Sequence, residues 1–276
     1  MRQTIVVVLV CASALAAADA SDLARTFADA TAGFSADRDI SDDPPPRFAF
    51  TDEAFAIDSS GAAHLGTYGS PSASIIGKAA DGSRWIAADI DYVVPCGMAG
   101  CEKMQAPQVH ASGLFDPSGR AVAWHVGLVF AGSDGVHPYR APKPSAPQKL
   151  ATRIDAGGED AAKLFAASIG DPKKLAATIS DRKDAVLFGS ERPERFVGGA
   201  AIRGKLVAWN LGFTVRDGIQ ASAVPSKTVA WVAANVDAAK PGAKPTPYRV
   251  LAIYEKTGAA WKLVVLHFSS AFAHDE

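Results

Sequence analysis

Imidazoles are the side chains best suited to moving protons near neutral pH, and the chain has six of them, spread from His64 to His274. One closes an apolar row. On WKLVVLHFS, strand alternation puts Trp261, Leu263, Val265, His267 and Ser269 on one side, against Lys262, Val264, Leu266 and Phe268. Two roles are open to His267: a structural residue with one backbone hydrogen bond, or an acid/base lining a pocket. In the second role Tyr248 or Tyr254 would donate a hydrogen bond, and Trp209 and Trp261 would form an apolar wall. Its counterpart in the first half falls near Phe130.

The carboxylate candidates lie on strands. Asp89 and Asp91 are two apart, share a side and could raise one another's pKa, although a solvated strand face is the plainer reading. Asp237 completes the candidate catalytic set. The sequence lacks H-E-x-x-H, C-x-x-C, G-x-S-x-G and any pair of histidines at ligand spacing. Phe188-Gly189-Ser190-Glu191 lacks the second glycine of a hydrolase elbow. Gly198-Gly199-Ala200, ahead of IRGKLVAWN, lacks the Lys-Ser/Thr of a phosphate loop and reads as an ordinary turn. No metal and no cofactor are expected.

The elements that would position these residues occur twice. WIAADID at 85–91 and WVAANVD at 231–237 share Trp, both Ala and the final Asp at a separation of 146 residues. Each is followed by an apolar run, a glycine turn and a second apolar run carrying Trp: VHASGLF, DPSG, RAVAWHVGLVF, and later YRVLAIY, EKTG, AAWKLVVLHF. Both read as β-hairpins. Alternation sorts Trp85, Ala87, Asp89 and Asp91, and in the second copy Trp231, Ala233, Asn235 and Asp237, onto a mixed face. The opposite face, Ala230, Val232, Ala234 and Val236, is purely apolar and suits the core. The mixed face is then a solvent or partner side, or a pocket wall, with Trp85 and Trp231 as interface candidates.

Helical material precedes each set. Ser21-Asp22 could cap a helix to about Phe34; a second helix opens at Gly158-Glu159-Asp160 and ends at Gly170; a third starts at Asp171-Pro172 and runs to about Ile179. Helices followed by hairpins make an α+β order. The segment HPYRAPKPSAPQK is an extended linker between the halves.

VLFGSERPERFVGGAAI, then WVAANVD, then YRVLAIYEKTGAAWKLVVLHFS resembles the SnoaL-like branch of the nuclear transport factor 2-like superfamily. The final strand pair, with its glycine turn, Trp261 and the LHFS ending, is the most specific part. The resemblance covers about residues 155–272 well and 22–133 less well, where the internal repeat carries the inference. It implies two cone-shaped domains, each a strongly curved antiparallel sheet wrapped around N-terminal helices. Catalytic members of the superfamily resemble one another in placing an acidic residue or a His in the cone. Asp89, Asp91, Asp237, Tyr248 and Tyr254 supply the residue types without a recognisable arrangement.

Length and charge agree with two domains and exclude several functions. The chain has 276 residues, 48% hydrophobic and 21% charged, with mean hydropathy +0.07, enough to bury a sizeable core. A net charge of -1 and 8% aromatics not interleaved with Lys/Arg argue against nucleic-acid binding. Residues 1–20 read as a signal peptide: Arg2, an apolar run from Ile5 to Ala18, and Ala18-Asp19-Ala20 ahead of Ser21. The run is too short for a permanent anchor, so an exported, periplasmic or extracellular protein cleaved near Ala20 is expected. Cys96 and Cys101 in PCGMAGC are expected to form a disulfide staple. The expected layout is a SnoaL-like domain at 21–137, a Pro-rich linker at 138–149 and a clearer SnoaL-like domain at 150–276. The functional expectation is a tandem binding or interaction protein whose cones hold a small apolar ligand and whose halves pack sheet to sheet as a pseudo-dimer. The alternative is a cofactor-independent isomerase, cyclase or dehydratase working in the second-domain pocket.

Overall fold

The computed structural model describes residues 48–50, 67–93, 108–128, 149–191 and 193–270. The expected signal peptide, the Ser21–Phe34 helix, the Cys96–Cys101 pair and most of the linker lie outside the described residues.

Two of the expected helices form for the expected reasons. In α1 (Glu159–Ser168) the buried residues Ala161, Ala162, Phe165 and Ser168 fall on one stripe, and Glu159 and Asp160 sit in the first turn, where the helix dipole favours them. In α2 (Pro172–Thr178) the Asp171 carboxylate accepts from the Lys173 and Lys174 amides at 2.8 and 3.2 Å, and Pro172 occupies the first turn, where no amide hydrogen is needed. The stretch read as a turn at Gly198–Gly199 instead opens a third helix, α3 (Gly199–Trp209). Gly198 has φ +87°, and a Cβ on Gly199 would fall 1.9 Å from the Ser180 carbonyl oxygen. These glycines let the first turn of the helix approach the chain at Ser180.

Among the described residues, twelve strands make two sheets. The first comprises β1 (Phe48–Phe50), β2 (Thr67–Lys78), β3 (Arg84–Val93), β4 (Gln108–Phe115) and β5 (Ala121–Leu128) in the order β1-β5-β4-β3-β2. The second comprises β6 (Arg153–Ile154), β7 (Val186–Phe188), β8 (Arg195–Val197), β9 (Gly212–Ala223), β10 (Val229–Ala239), β11 (Thr246–Thr257) and β12 (Ala260–Ser270) in the order β6-β9-β10-β11-β12-β7-β8. The expected all-antiparallel sheets are mixed: β1 runs parallel to β5, β7 to β12 and β6 to β9. The second hairpin turns at Gly258–Ala259, more tightly than EKTG suggested, and Gly258 takes φ +62°.

The order β7-β12-β11-β10-β9 in the second sheet has the same sequence and directions as β1-β5-β4-β3-β2 in the first. Irregularities match as well. Leu114 pairs with Ala123 and Phe115 with Ala121, leaving Val122 as an extra residue; Ile253 pairs with Val265 and Tyr254 with Leu263, leaving Val264. Both are β-bulges at the start of the last strand.

The second sheet has a core on each face. On one, α1, α2 and α3 bring Phe165, Leu175, Ile202 and Leu206 onto Ala230, Val232, Ala234, Val236, Tyr254 and Phe268. The alanines on these strands leave room for the helices to approach. On the other face, Val229, Trp231, Ala233, Leu251, Ile253 and Val265 join Trp85, Leu114, Val122 and Ala123 of the first sheet in one apolar cluster. Trp85 is fully buried and Trp231 is 3% exposed. Burying two indoles in this way contributes several kcal/mol, about 25 cal/mol for each Å² of apolar surface removed from water.

Candidate functional site

A group of deeply buried polar residues lies between the two sheets. His110 and Ser112 come from β4, His125 from β5, and His267 and Ser269 from β12, each at most 2% exposed. Phe188 of β7 lies among them. The His110 ring stacks on Phe188 at 4.3 Å between centroids, Phe188 meets His267 edge-on at 5.2 Å, and His267 stacks on His125 at 4.0 Å. The result is a row of four rings from both halves of the chain.

Hydrogen bonds cross between the halves. His267 Nδ1 pairs with Ser112 Oγ at 2.8 Å, and His125 Nε2 with Ser269 Oγ at 2.8 Å. His110 Nδ1 lies 3.1 Å from the Gly189 carbonyl oxygen, so that nitrogen carries the hydrogen and donates. Its Nε2 lies 3.4 Å from the Asp89 carboxylate, whose other oxygen faces Arg195 Nε at 3.6 Å. The backbones approach closely here: a Cβ on Gly127 would lie 2.6 Å from Ser269 Cβ and 3.2 Å from His267 Nε2. Burial holds the His110 imidazole down to about 4, and Arg195 pushes the same way, against the bond to Gly189. Burial drives His125 well below the usual imidazole range, aided by Arg249, and does the same to His267, aided by His125 and His110. All three rings are neutral at pH 7.

Further contacts between the halves lie away from this row, toward the β2–β3 turn. The Asp81 carboxylate accepts from the Ser226 hydroxyl and, at 2.8 Å, from Thr228 Oγ1. Arg182 donates to the Lys78 carbonyl at 3.3 Å and lies 4.6 Å above the Trp85 ring, while Trp85 Nε1 donates to the Asp184 carbonyl at 3.4 Å.

The expected catalytic set is split between the faces of the second sheet. Tyr254 is fully buried on the helix-covered face, with Tyr248, Trp209 and Trp261 packed partly buried at the same core. His267 is on the opposite face, against the first sheet. The sorting that put Trp261 and Leu263 with His267 fails at the bulge, because the extra residue Val264 reverses the alternation: Leu263 joins Leu266 and Phe268 in the helix-side core, while Val265 faces the other sheet. Trp209 makes an edge-on contact with Phe196 at 5.8 Å, and Lys256 lies 5.8 Å over Trp261. Asp237 forms an ion pair with Arg216 at 2.7 Å, and the buried Asn235 donates to Asp217 at 3.1 Å. The Asp91 side chain lies outside the described residues.

Sequence reasoning missed His110, His125 and Ser112. The residue equivalent to His267 is His125, not one near Phe130: His125 stands opposite Phe50 across a parallel pair as His267 stands opposite Phe188, and the two residues oppose the equivalent positions Ser112 and Leu251. Aligning the bulges Val122 and Val264, rather than the loop ends, would have found it. One residue on the helix side carries unusual polarity. The Tyr254 hydroxyl has no hydrogen-bond partner among the described residues, and burial raises its pKa. The described residues contain no group of three or more His, Cys, Asp or Glu placed to hold a metal ion.

Comparison with known proteins bears on the second half. The family model described as SnoaL-like domain matches residues 161–273. Similar solved structures include a nuclear transport factor 2-like protein from Pseudomonas putida, 16% identical over 44% of this chain and 90% of that one, TM-score 0.36. Another is nuclear transport factor 2 from Cryptosporidium parvum, 14% identical over 46% of this chain and 99% of that one, TM-score 0.35. A comparison with curated proteins gives no match. Residues 161–273 match one SnoaL-like domain, and the structure there is an α+β unit.

Proposed function

We propose that this chain is an exported binding protein made of two SnoaL-like halves paired sheet to sheet, the second of which holds a small, largely apolar molecule under α1, α2 and α3. The observation that carries the pairing is the cluster joining Trp85, Leu114 and Ala123 to Trp231, Leu251 and Val265. The matched strand order and the matched bulges at Val122 and Val264 support a duplication. Sheet-to-sheet pairing within one chain occupies the face that carries His267, and so leaves the helix-covered face of the second half for a ligand.

The Tyr254 hydroxyl supports that face as the binding site. A buried phenol without a partner costs about 1–3 kcal/mol, and a ligand carbonyl or hydroxyl would relieve the cost. The proton-transfer reading required His267 beside Tyr254 or Tyr248, and that pairing is not available across the sheet. Export rests on the N-terminal segment, and the Cys96–Cys101 staple on its oxidising destination.

The test is a native mass-spectrometry and thermal-shift screen of the mature protein against apolar compounds carrying one carbonyl or hydroxyl. Binding that weakens tenfold or more in Tyr254→Phe supports the reading. Ligands whose affinity is the same in Tyr254→Phe, or that are lost on changing Ser112 instead, would place the site elsewhere.

A further inference from the structure

We propose that the row of histidines between the sheets is an acid-sensitive latch: protonation opens the contact between the halves while the helix-covered core of the second half stays folded. The latch depends on the pairing of the halves but not on what the helix-covered face binds.

The argument begins with what surrounds each ring. A protonated imidazole needs an acceptor at both nitrogens. His267 has Ser112 at Nδ1, and among the described residues no acceptor stands within hydrogen-bonding distance of its Nε2. His267 also stacks on His125 at 4.0 Å, so a charge on one ring opposes a charge on the other. Two cations flank the row, Arg195 of β8 at the His110 end and Arg249 of β11 at the His125 end. Asp89 of β3 is the carboxylate facing His110, and it also faces Arg195. Glu194, packed against Gly189, is held above the usual carboxylate range by burial, so acid neutralises it early and removes a negative charge from the Gly189 end of the row. Protonation of His267 thus adds buried positive charge with no second acceptor to balance it, whereas His110 keeps the Gly189 carbonyl and the Asp89 carboxylate at its two nitrogens.

The sign follows from which state binds more protons. In the closed contact His110 titrates at about 4, against 6.5 when exposed. Between these values the open form carries the proton and the closed form does not, so the contact is fully favoured above pH 6.5 and weakens as pH falls to 4. That difference corresponds to a roughly 300-fold change in the opening equilibrium for one ring. His125 and His267 shift in the same direction and steepen the response. The helix-covered core contains no histidine among its described residues, which is why acid would act on one face of the second sheet and spare the other.

The experiment is an NMR acid titration of the mature full chain with ring-labelled histidine, following the indole resonances of Trp85 and Trp231 and the methyl resonances of Leu175 and Ile202. The expected result is that His110, His125 and His267 stay neutral well below pH 6.5, His110 down to about 4. The two indole signals then shift together while the Leu175 and Ile202 methyls hold their native positions. In His110→Gln, and separately in His267→Asn, the midpoint should move to lower pH by at least half a unit. An unchanged midpoint in both variants, with imidazoles still titrating low, overturns the latch and leaves the pairing intact. Imidazoles titrating near 6.5 with no opening would instead overturn the pairing itself. If neither variant folds, the pH slope of opening in the unaltered chain decides: two or more protons taken up supports the latch, one or fewer contradicts it.

Discussion

A single methyl group added at Gly127 should destabilise the protein through a residue 142 positions away. An alanine Cβ there would lie 2.6 Å from Ser269 Cβ, closer than side chains tolerate, and 3.2 Å from His267 Nε2, so the sheets would have to separate locally. Overpacking of this kind costs about 1–3 kcal/mol. Without the contact, Gly→Ala on a strand would raise stability by about 0.4–1 kcal/mol, because it restricts the unfolded chain. The sign therefore distinguishes the two situations. Ser269→Gly removes the opposing Cβ but also the 2.8 Å hydrogen bond to His125, at a cost of about 1–2 kcal/mol. In the double variant the clash is gone, so its loss should fall short of the summed single losses by at least about 1 kcal/mol. Urea denaturation at pH 7.5, where the imidazoles are neutral, measures all four proteins. A stabilising Gly127→Ala, or a pair of substitutions that simply add, would refute the packing described for this face.

Three other outcomes follow. Trp231→Ala should cost about 3–5 kcal/mol in the same assay, and Trp261→Ala, at the half-buried rim of the helix-side core, less than half as much; equal losses would mean that Trp231 is not at the centre of a buried contact. Tyr254→Phe should raise the stability of the ligand-free protein by about 1 kcal/mol, since it removes a buried hydroxyl without a partner, and a loss of that size would show that the hydroxyl is already satisfied. Thiol titration of the denatured, unreduced mature protein should find no free thiol from Cys96 and Cys101, and two reactive thiols would rule out the staple.

Much of the second half could be read from its residues because the signals there are local. Asp171-Pro172 caps a helix whatever surrounds it, and the alternation of WVAANVD separates the helix-side residues Ala230, Val232, Ala234 and Val236 from Trp231 correctly. Reading failed where geometry is set by something distant. The helix α3 was hidden by glycines that answer to the Ser180 carbonyl, and the Val264 bulge, invisible to strict alternation, moved Trp261 and Leu263 away from His267. The histidine row was out of reach for the same reason: nothing within VHASG or AWHVG signals that His110 and His125 meet Phe188 and His267, because the partners are supplied by the other half. Trp85 and Trp231 were legible as candidates for an interface, whereas the polar residues beside them were not.

The central claim, that the two sheets face each other through this row, is tested most directly by an aromatic nuclear Overhauser experiment on the full mature chain at pH 7.5. With the rings stacked at 4.0 Å, the His125 and His267 ring protons should give a strong cross-peak, and His267 should give a second one to the Ser112 β-protons. The absence of both peaks, with the two imidazoles titrating near 6.5 like exposed histidines, would contradict the account.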